Sequence, residues 1–154
     1  MKTFFKCSKF GLILFVFLLH SCSKEESIDN TIEGNWIVIS FEDYQDSTSI
    51  TKTEQNTWSD YNNGDITVNF SFSNNLNGNL SGKNITNTFY GDFRISSDNK
   101  LVIENTIWTF INEPEWGRLF HSIILAESFE INTDQLIIYY NNKENGIVLE
   151  RSQN

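Results

Sequence analysis

The stretch Ile66-Thr67-Val68-Asn69-Phe70-Ser71-Phe72-Ser73 alternates strictly between apolar and polar residues. Successive side chains of an extended chain point to opposite faces, so Ile66, Val68, Phe70 and Phe72 share one side and Thr67, Asn69, Ser71 and Ser73 the other. A helix would scatter the same residues around its axis. The pattern identifies a strand in an antiparallel sheet with one dry and one wet face. The dry face must be covered by another layer or by closure of the sheet on itself.

The rest of the chain fits that frame. Ile32 and Gly34 lead into Asn35-Trp36-Ile37-Val38-Ile39-Ser40-Phe41, rich in β-branched and aromatic residues: a first strand. Residues 44–63 dissolve into Ser, Thr, Gln, Asn and Asp, a long excursion with a short strand expected at 50–53. Asn77-Gly78 and Ser81-Gly82 read as turns between short strands. Residues 89–95 and 100–103 read as two more strands joined at Ser97-Asp98-Asn99, and 106–110 is apolar without a deciding period.

After Asn112-Glu113-Pro114, a helix start, the period changes. Trp116, Leu119, Phe120, Ile123 and Ile124 recur at helical spacing, so this stripe is expected to lie on the sheet with Ile124 beneath it. The strand period returns at Phe129 and Ile131 and at Leu136, Ile138 and Tyr140, and Asn145-Gly146 is predicted to turn the chain into Ile147-Val148-Leu149. The expected fold is mainly β with one helix (α+β): an antiparallel meander sheet or half-barrel with a late amphipathic helix packed on it.

The N-terminus is of another kind. Lys2, Lys6 and Lys9 precede the apolar run of residues 10–19, followed by His20 and Ser21. This is the layout of a secretory signal, and the run is well short of the roughly 20 residues a spanning helix needs. Leu19-His20-Ser21-Cys22 resembles the lipobox of bacterial lipoproteins. The resemblance implies a diacylglycerol on the Cys22 thiol, removal of residues 1–21 and acylation of the new amine. One acyl chain anchors marginally, whereas two or three hold a protein to a bilayer. Ser23-Lys24-Glu25-Glu26 resembles the Lys-acidic-acidic export tag of surface-displayed lipoproteins of some Gram-negative bacteria. The implied division is 1–21 signal, 22–31 flexible tether and 32–154 folded domain. The implied place is the cell envelope of such a bacterium, as an outer membrane lipoprotein facing the periplasm or, with the tag, the outside.

Charge narrows the partners. All 20 acidic residues follow Cys22, whereas Lys2, Lys6 and Lys9 of the 11 basic ones precede it, which leaves twelve excess negative charges beyond Cys22. Such a domain repels nucleic acid, so no nucleic-acid partner is expected. The expected partners are the membrane, through the anchor, and an unidentified envelope component, small molecule or glycan. With Cys7 in the signal and Cys22 acylated, no disulfide can form, and burial must hold the fold.

Gly82, Asn87, Gly91 and the aromatic Phe93, within Gly82-Lys83-Asn84-Ile85-Thr86-Asn87-Thr88-Phe89-Tyr90-Gly91-Asp92-Phe93, resemble the motif of the META/HslJ-like domain of secreted and envelope proteins. Ile85 and Thr86 replace that family's Gly-Cys, so a role depending on its cysteines is excluded. The resemblance implies a β domain from about Trp36 to Arg151, the motif residues in a turn region, and a non-catalytic part in envelope maintenance, stress or ligand binding. Gly34-Asn35-Trp36 suggests an alternative, a lipocalin-like barrel for small ligands.

No residues announce catalysis, and no cofactor is expected. His121 is the single histidine beyond Cys22, too few ligands for a zinc or copper site, and is expected beside the helix stripe. Glu42, Asp43, Asp92, Glu104 and Glu113 could converge as a carboxylate pair for sugar cleavage, but their order selects no two. Trp58, Tyr61 and Trp108 stand outside the core patterns and are candidate ligand aromatics. A surface carbohydrate-directed enzyme or accessory module is therefore a second alternative.

Overall fold

The structure, a computed structural model, describes residues 31–96 and 98–153. The expected signal, Cys22 and the expected tag at Ser23–Glu26 lie outside the described residues. The elements are β1 (Gly34–Asp43), β2 (Thr48–Thr51), β3 (Thr67–Phe72), β4 (Asn77–Lys83), β5 (Thr88–Ile95), β6 (Leu101–Trp108), α1 (Glu115–Leu119), a 3-10 helix (Phe120–Leu125), β7 (Ser128–Asn132), β8 (Gln135–Tyr140) and β9 (Asn145–Arg151).

All strand pairs are antiparallel, in a nine-stranded sheet of order β6-β5-β4-β3-β1-β9-β8-β7 with β2 paired to β1. β1 makes this order possible by changing partner along its length. Gly34 to Ile37 pair with β3, a register shift follows between Val38 and Ser40, and Ser40 to Asp43 pair with β2. The sheet curls until its two edges touch. Lys100 bridges Ser128, the Leu101 N–H donates to the Glu127 carbonyl at 3.0 Å, and the Phe129 N–H donates to the Asn99 carbonyl at 3.1 Å. The mainly-β half-barrel expected above is the fold observed.

Ile66, Val68 and Phe70 are buried and Phe72 is half-buried, as their alternation requires. Their face belongs to one continuous core with Trp36, Leu80, Phe89, Phe93, Trp116, Phe120 and Leu136. Large side chains fill the concave side of the sheet. Trp36 is fully buried, its indole N–H donates to the Ile32 carbonyl at 2.8 Å, and the Arg151 guanidinium lies 4.4 Å from its ring.

Four expectations require correction. Asn77-Gly78 and Ser81-Gly82 are not turns but lie inside β4. Gly78 pairs with Phe93, Leu80 with Gly91 and Gly82 with Phe89 across β4 and β5. Each large side chain thus faces a glycine, and the Phe93 and Phe89 rings occupy space that a Cβ at Gly78 and Gly82 would enter, 2.6 Å away in each case. Second, Asn145-Gly146 opens β9, and the hairpin turns through residues 141–144, where Asn141, Asn142 and Lys143 all have positive φ. Third, the undecided segment 106–110 continues β6 as far as Trp108.

The fourth concerns the helix. One α-turn passes directly into the 3-10 helix, and Ile124 is 47% exposed. A 3-10 helix has three residues per turn, so Phe120 and Ile123 eclipse on the buried face and Ile124 rotates to solvent. Ile123→Asp is therefore expected to cost about 3 kcal/mol or more by burying an unpaired carboxylate. Ile124→Asp should stay within about 1 kcal/mol of the parent. Thermal unfolding of the two variants checks the assignment.

Candidate functional site

The residues that sequence reasoning singled out fall in three places. The first is a polar knot at the rim where β4 turns into β5. Asn84 and Asn87 close that turn, the Asn84 N–H donating to the Asn87 carbonyl at 2.7 Å. The Asn87 amide group donates to the Glu113 carboxylate at 2.6 Å and to the Ile111 carbonyl at 2.8 Å. Its oxygen accepts from the Ile111 N–H at 2.8 Å and the Thr109 hydroxyl at 2.9 Å.

Glu113 is 5% exposed, and its carboxylate also accepts the backbone N–H groups of Asn87 at 3.0 Å and Thr86 at 3.2 Å. A buried carboxylate is costly unless hydrogen-bonded, and here several donors take the place of water. Asn84 donates to the Gly117 carbonyl at 2.8 Å, and the Arg118 guanidinium donates to the Glu113 carbonyl at 2.8 Å. The knot therefore ties the β4–β5 turn, the segment after β6 and α1 together. Its donors and acceptors are paired within the chain, which suits a fastening better than a reacting centre.

Of the four motif residues, only Asn87 occupies this turn. Gly82 lies in β4, while Gly91 and Phe93 lie in β5, Gly91 at the register shift between Tyr90 and Asp92. The expectation of a single motif turn is corrected accordingly: the glycines serve strand packing.

The second place is the rim beside the knot. Trp108 is half-buried, stacks on Phe89 with centroids 4.7 Å apart, and carries His121 on its other side at 4.4 Å. His121, beside the buried Phe120 of the helix stripe, is exposed at this rim. Trp108 thus completes the core margin. With Phe110, Ile111, Arg118 and His121 it lines a cleft of about 240 Å³.

The third place is the excursion after β2. Trp58 is 40% and Tyr61 55% exposed, with ring centroids 6.2 Å apart and planes inclined by 55°. Trp108 does not join them, so the three candidate aromatics form a pair and a separate core residue.

The five carboxylates each have their own engagement. Glu42 accepts from the Ser40 and Ser49 hydroxyls, and Asp43 accepts the Gln45 and Asp46 N–H groups at 3.0 Å. Asp92 accepts from Asn79 and Asn105, and Glu104 pairs with Arg94 at 3.0 Å. Asp92 and Glu104 are neighbours across β5 and β6 and share an open surface cavity of about 290 Å³ with Asn79, Arg94 and Asn105, in which each is held by the partners just named. Among the described residues no three His, Cys, Asp or Glu side chains are grouped to hold a metal ion.

The perturbed tyrosines lie elsewhere, Tyr139 on β8 and Tyr44 just after β1, their rings meeting beside Gly146 of the intervening β9. Burial, then the Glu130 carboxylate and Tyr44, push the Tyr139 hydroxyl up to about 12, and burial likewise raises Tyr44. Lys143 holds Glu130 at 3.0 Å and sits 4.8 Å from the Tyr139 ring, so this cluster is a surface ion pair laid over an aromatic pair.

Sequence reasoning missed the partnership of Asn84, Asn87 and Glu113. The only local signal was an Asn on each side of Ile85-Thr86; the carboxylate arrives from a distant segment.

Neither a family model nor a curated protein matches the chain. Among solved structures, the crystal structure of a DUF4847 family protein from Bacteroides vulgatus ATCC 8482 is similar, with a TM-score of 0.54 at 13% identity, over 79% of this chain and 94% of that one. At that identity the likeness is one of fold alone.

Proposed function

We propose that the chain is an outer membrane lipoprotein of a Gram-negative bacterium, held by acylated Cys22, whose META-like β domain acts by binding rather than catalysis. One observation carries the reading. The basic start, the apolar run of residues 10–19 and Leu19-His20-Ser21-Cys22 stand together immediately before a polar segment, and beyond residue 21 Cys22 is the sole cysteine.

The domain's architecture supports the second half. Its concave side is filled by large side chains, which favours a surface site over the enclosed cavity of a lipocalin-like binder. The carboxylates that a glycosidase would need are individually engaged, as described above. The META-like resemblance belongs to the same proposal, and Asn87, at the centre of the knot, is the motif residue that keeps the turn position it implies.

Metabolic labelling with a radioactive fatty acid tests the anchor. The parent should take up label, whereas Cys22→Ser, which has no thiol at that position to acylate and keeps residues 1–21, should take up none. Equal labelling of both forms would refute lipid anchoring at Cys22. Protease treatment of intact cells then reports the face: early digestion marks the surface, and survival until the envelope is broken marks the periplasm.

A further inference from the structure

We infer that Trp58 and Tyr61 form a binding site for a neutral glycan. The inference rests on the reading of the domain as a binding module and is independent of the anchor.

The two rings are the aromatic pair that the excursion after β2 presents to solvent, adjacent but inclined to each other rather than coplanar. The apolar C–H face of a pyranose packs against such a ring while its hydroxyl edge seeks hydrogen bonds. Those are at hand: Ser59 and Asp60 lie between the rings in sequence, are exposed, and have no partner among the described residues.

The loop is fixed before any ligand arrives. The Asn56 amide donates to the Thr51 carbonyl at 2.9 Å, the Trp116 N–H donates to the Asn56 carbonyl at 2.8 Å, and the buried Thr57 hydroxyl donates to the Gly64 carbonyl at 3.3 Å. The Tyr61 N–H donates to the Trp58 carbonyl at 3.1 Å, which sets the two aromatic residues on one short turn. Asn62, Asn63 and Gly64 follow with φ of 48°, 54° and 70°. Consecutive left-handed residues, two of them not glycine, are strained, and such strain collects where a surface must be held in one shape. A held surface loses little freedom on binding, which is how a small aromatic site reaches useful affinity.

Charge selects the kind of sugar. The nearby Lys52 is paired with Asp65, Asp60 is unpaired, and the part beyond Cys22 carries a large negative excess. Sulfated and uronic-acid glycans are therefore repelled, and uncharged hexose or N-acetylhexosamine chains fit.

The full chain carrying Cys22→Ser, titrated calorimetrically with maltotetraose, cellotetraose, mannotetraose and chitotetraose, provides the test. At least one is expected to bind saturably, and a heparin tetrasaccharide is expected not to. Trp58→Ala and Tyr61→Ala should each weaken that binding about tenfold or more, the effect of removing an aromatic anchor, and Trp58→Phe should retain most of it. Both positions are exposed, so thermal midpoints should match the parent's. Binding by none of the four neutral sugars, unchanged affinity in the alanine variants, or preference for heparin would each overturn the inference. A Cys22→Ser chain that takes up fatty-acid label like the parent yet binds sugar contradicts the anchor alone; one that takes up no label and binds no sugar contradicts the glycan site alone.

Discussion

Gly82→Ala is expected to destabilise the domain by about 3 kcal/mol or more, at the upper end of what overpacking costs. A Cβ at Gly82 would overlap the Thr67 carbonyl oxygen of the neighbouring strand and lie 2.6 Å from the Phe89 ring. The carbonyl belongs to backbone on β3, so relief requires the β3–β4 pairing itself to open. Gly91 supplies the contrast. A Cβ there would lie 2.9 Å from methyl groups of Leu80 and Thr106 and 3.2 Å from the Glu104 carbonyl oxygen. The two methyl groups can swing aside, so Gly91→Ala should cost only about 1–2 kcal/mol. Urea unfolding followed by circular dichroism separates the two; equal midpoints would mean that the glycine–aromatic pairing does not set the register of β4 and β5.

The second large effect is expected at Glu113. Glu113→Leu keeps the bulk but removes the acceptor of the Thr86 and Asn87 N–H groups and of the Asn87 side-chain amide. Each donor left buried without a partner costs about 1–3 kcal/mol, so a loss of about 3–5 kcal/mol is expected. Glu113→Gln retains one acceptor oxygen but brings an NH₂ group towards the same donors, and should lose about 1–2 kcal/mol. Native-state hydrogen exchange gives a local reading, because the Thr86 and Asn87 amides should be the first to lose protection in the Gln variant. A Leu variant within about 1 kcal/mol of the parent would show that the knot is not what fastens α1 to the β4–β5 turn.

These two sites mark how far the fold could be read before it was seen. Strands with one wet face were legible because alternation is a local pattern: Ile66, Val68 and Phe70 declare their side without reference to any other residue. Glycine carries no such mark. Gly78 and Gly82 read as turns because turns are where glycine's freedom is usually needed, whereas here glycine answers to Phe93 and Phe89 on the next strand, more than a turn's length away. Asn145-Gly146 misled similarly, since the Asn141, Asn142 and Lys143 that precede it adopt the left-handed conformation themselves.

The helix stripe was right in kind, with Trp116, Phe120 and Ile123 buried, and wrong at Ile124 because the switch to three residues per turn leaves no trace in an apolar pattern. The candidate site was legible in part. Trp58 and Tyr61 stood out as aromatics in a polar stretch, but nothing local separated them from Trp108, which the crossover helix covers. The Asn87–Glu113 contact joins segments that become neighbours only when the chain is folded.

Intact-mass analysis of the protein extracted from membranes is the most direct measurement of the proposed anchor. A mature chain that begins at Cys22 and carries a thioether-linked diacylglyceryl group with an N-acyl chain is expected, its N-terminal fragment retaining both on tryptic digestion. A chain that still carries residues 1–21, or one that begins elsewhere with an unmodified Cys22 thiol, would contradict it.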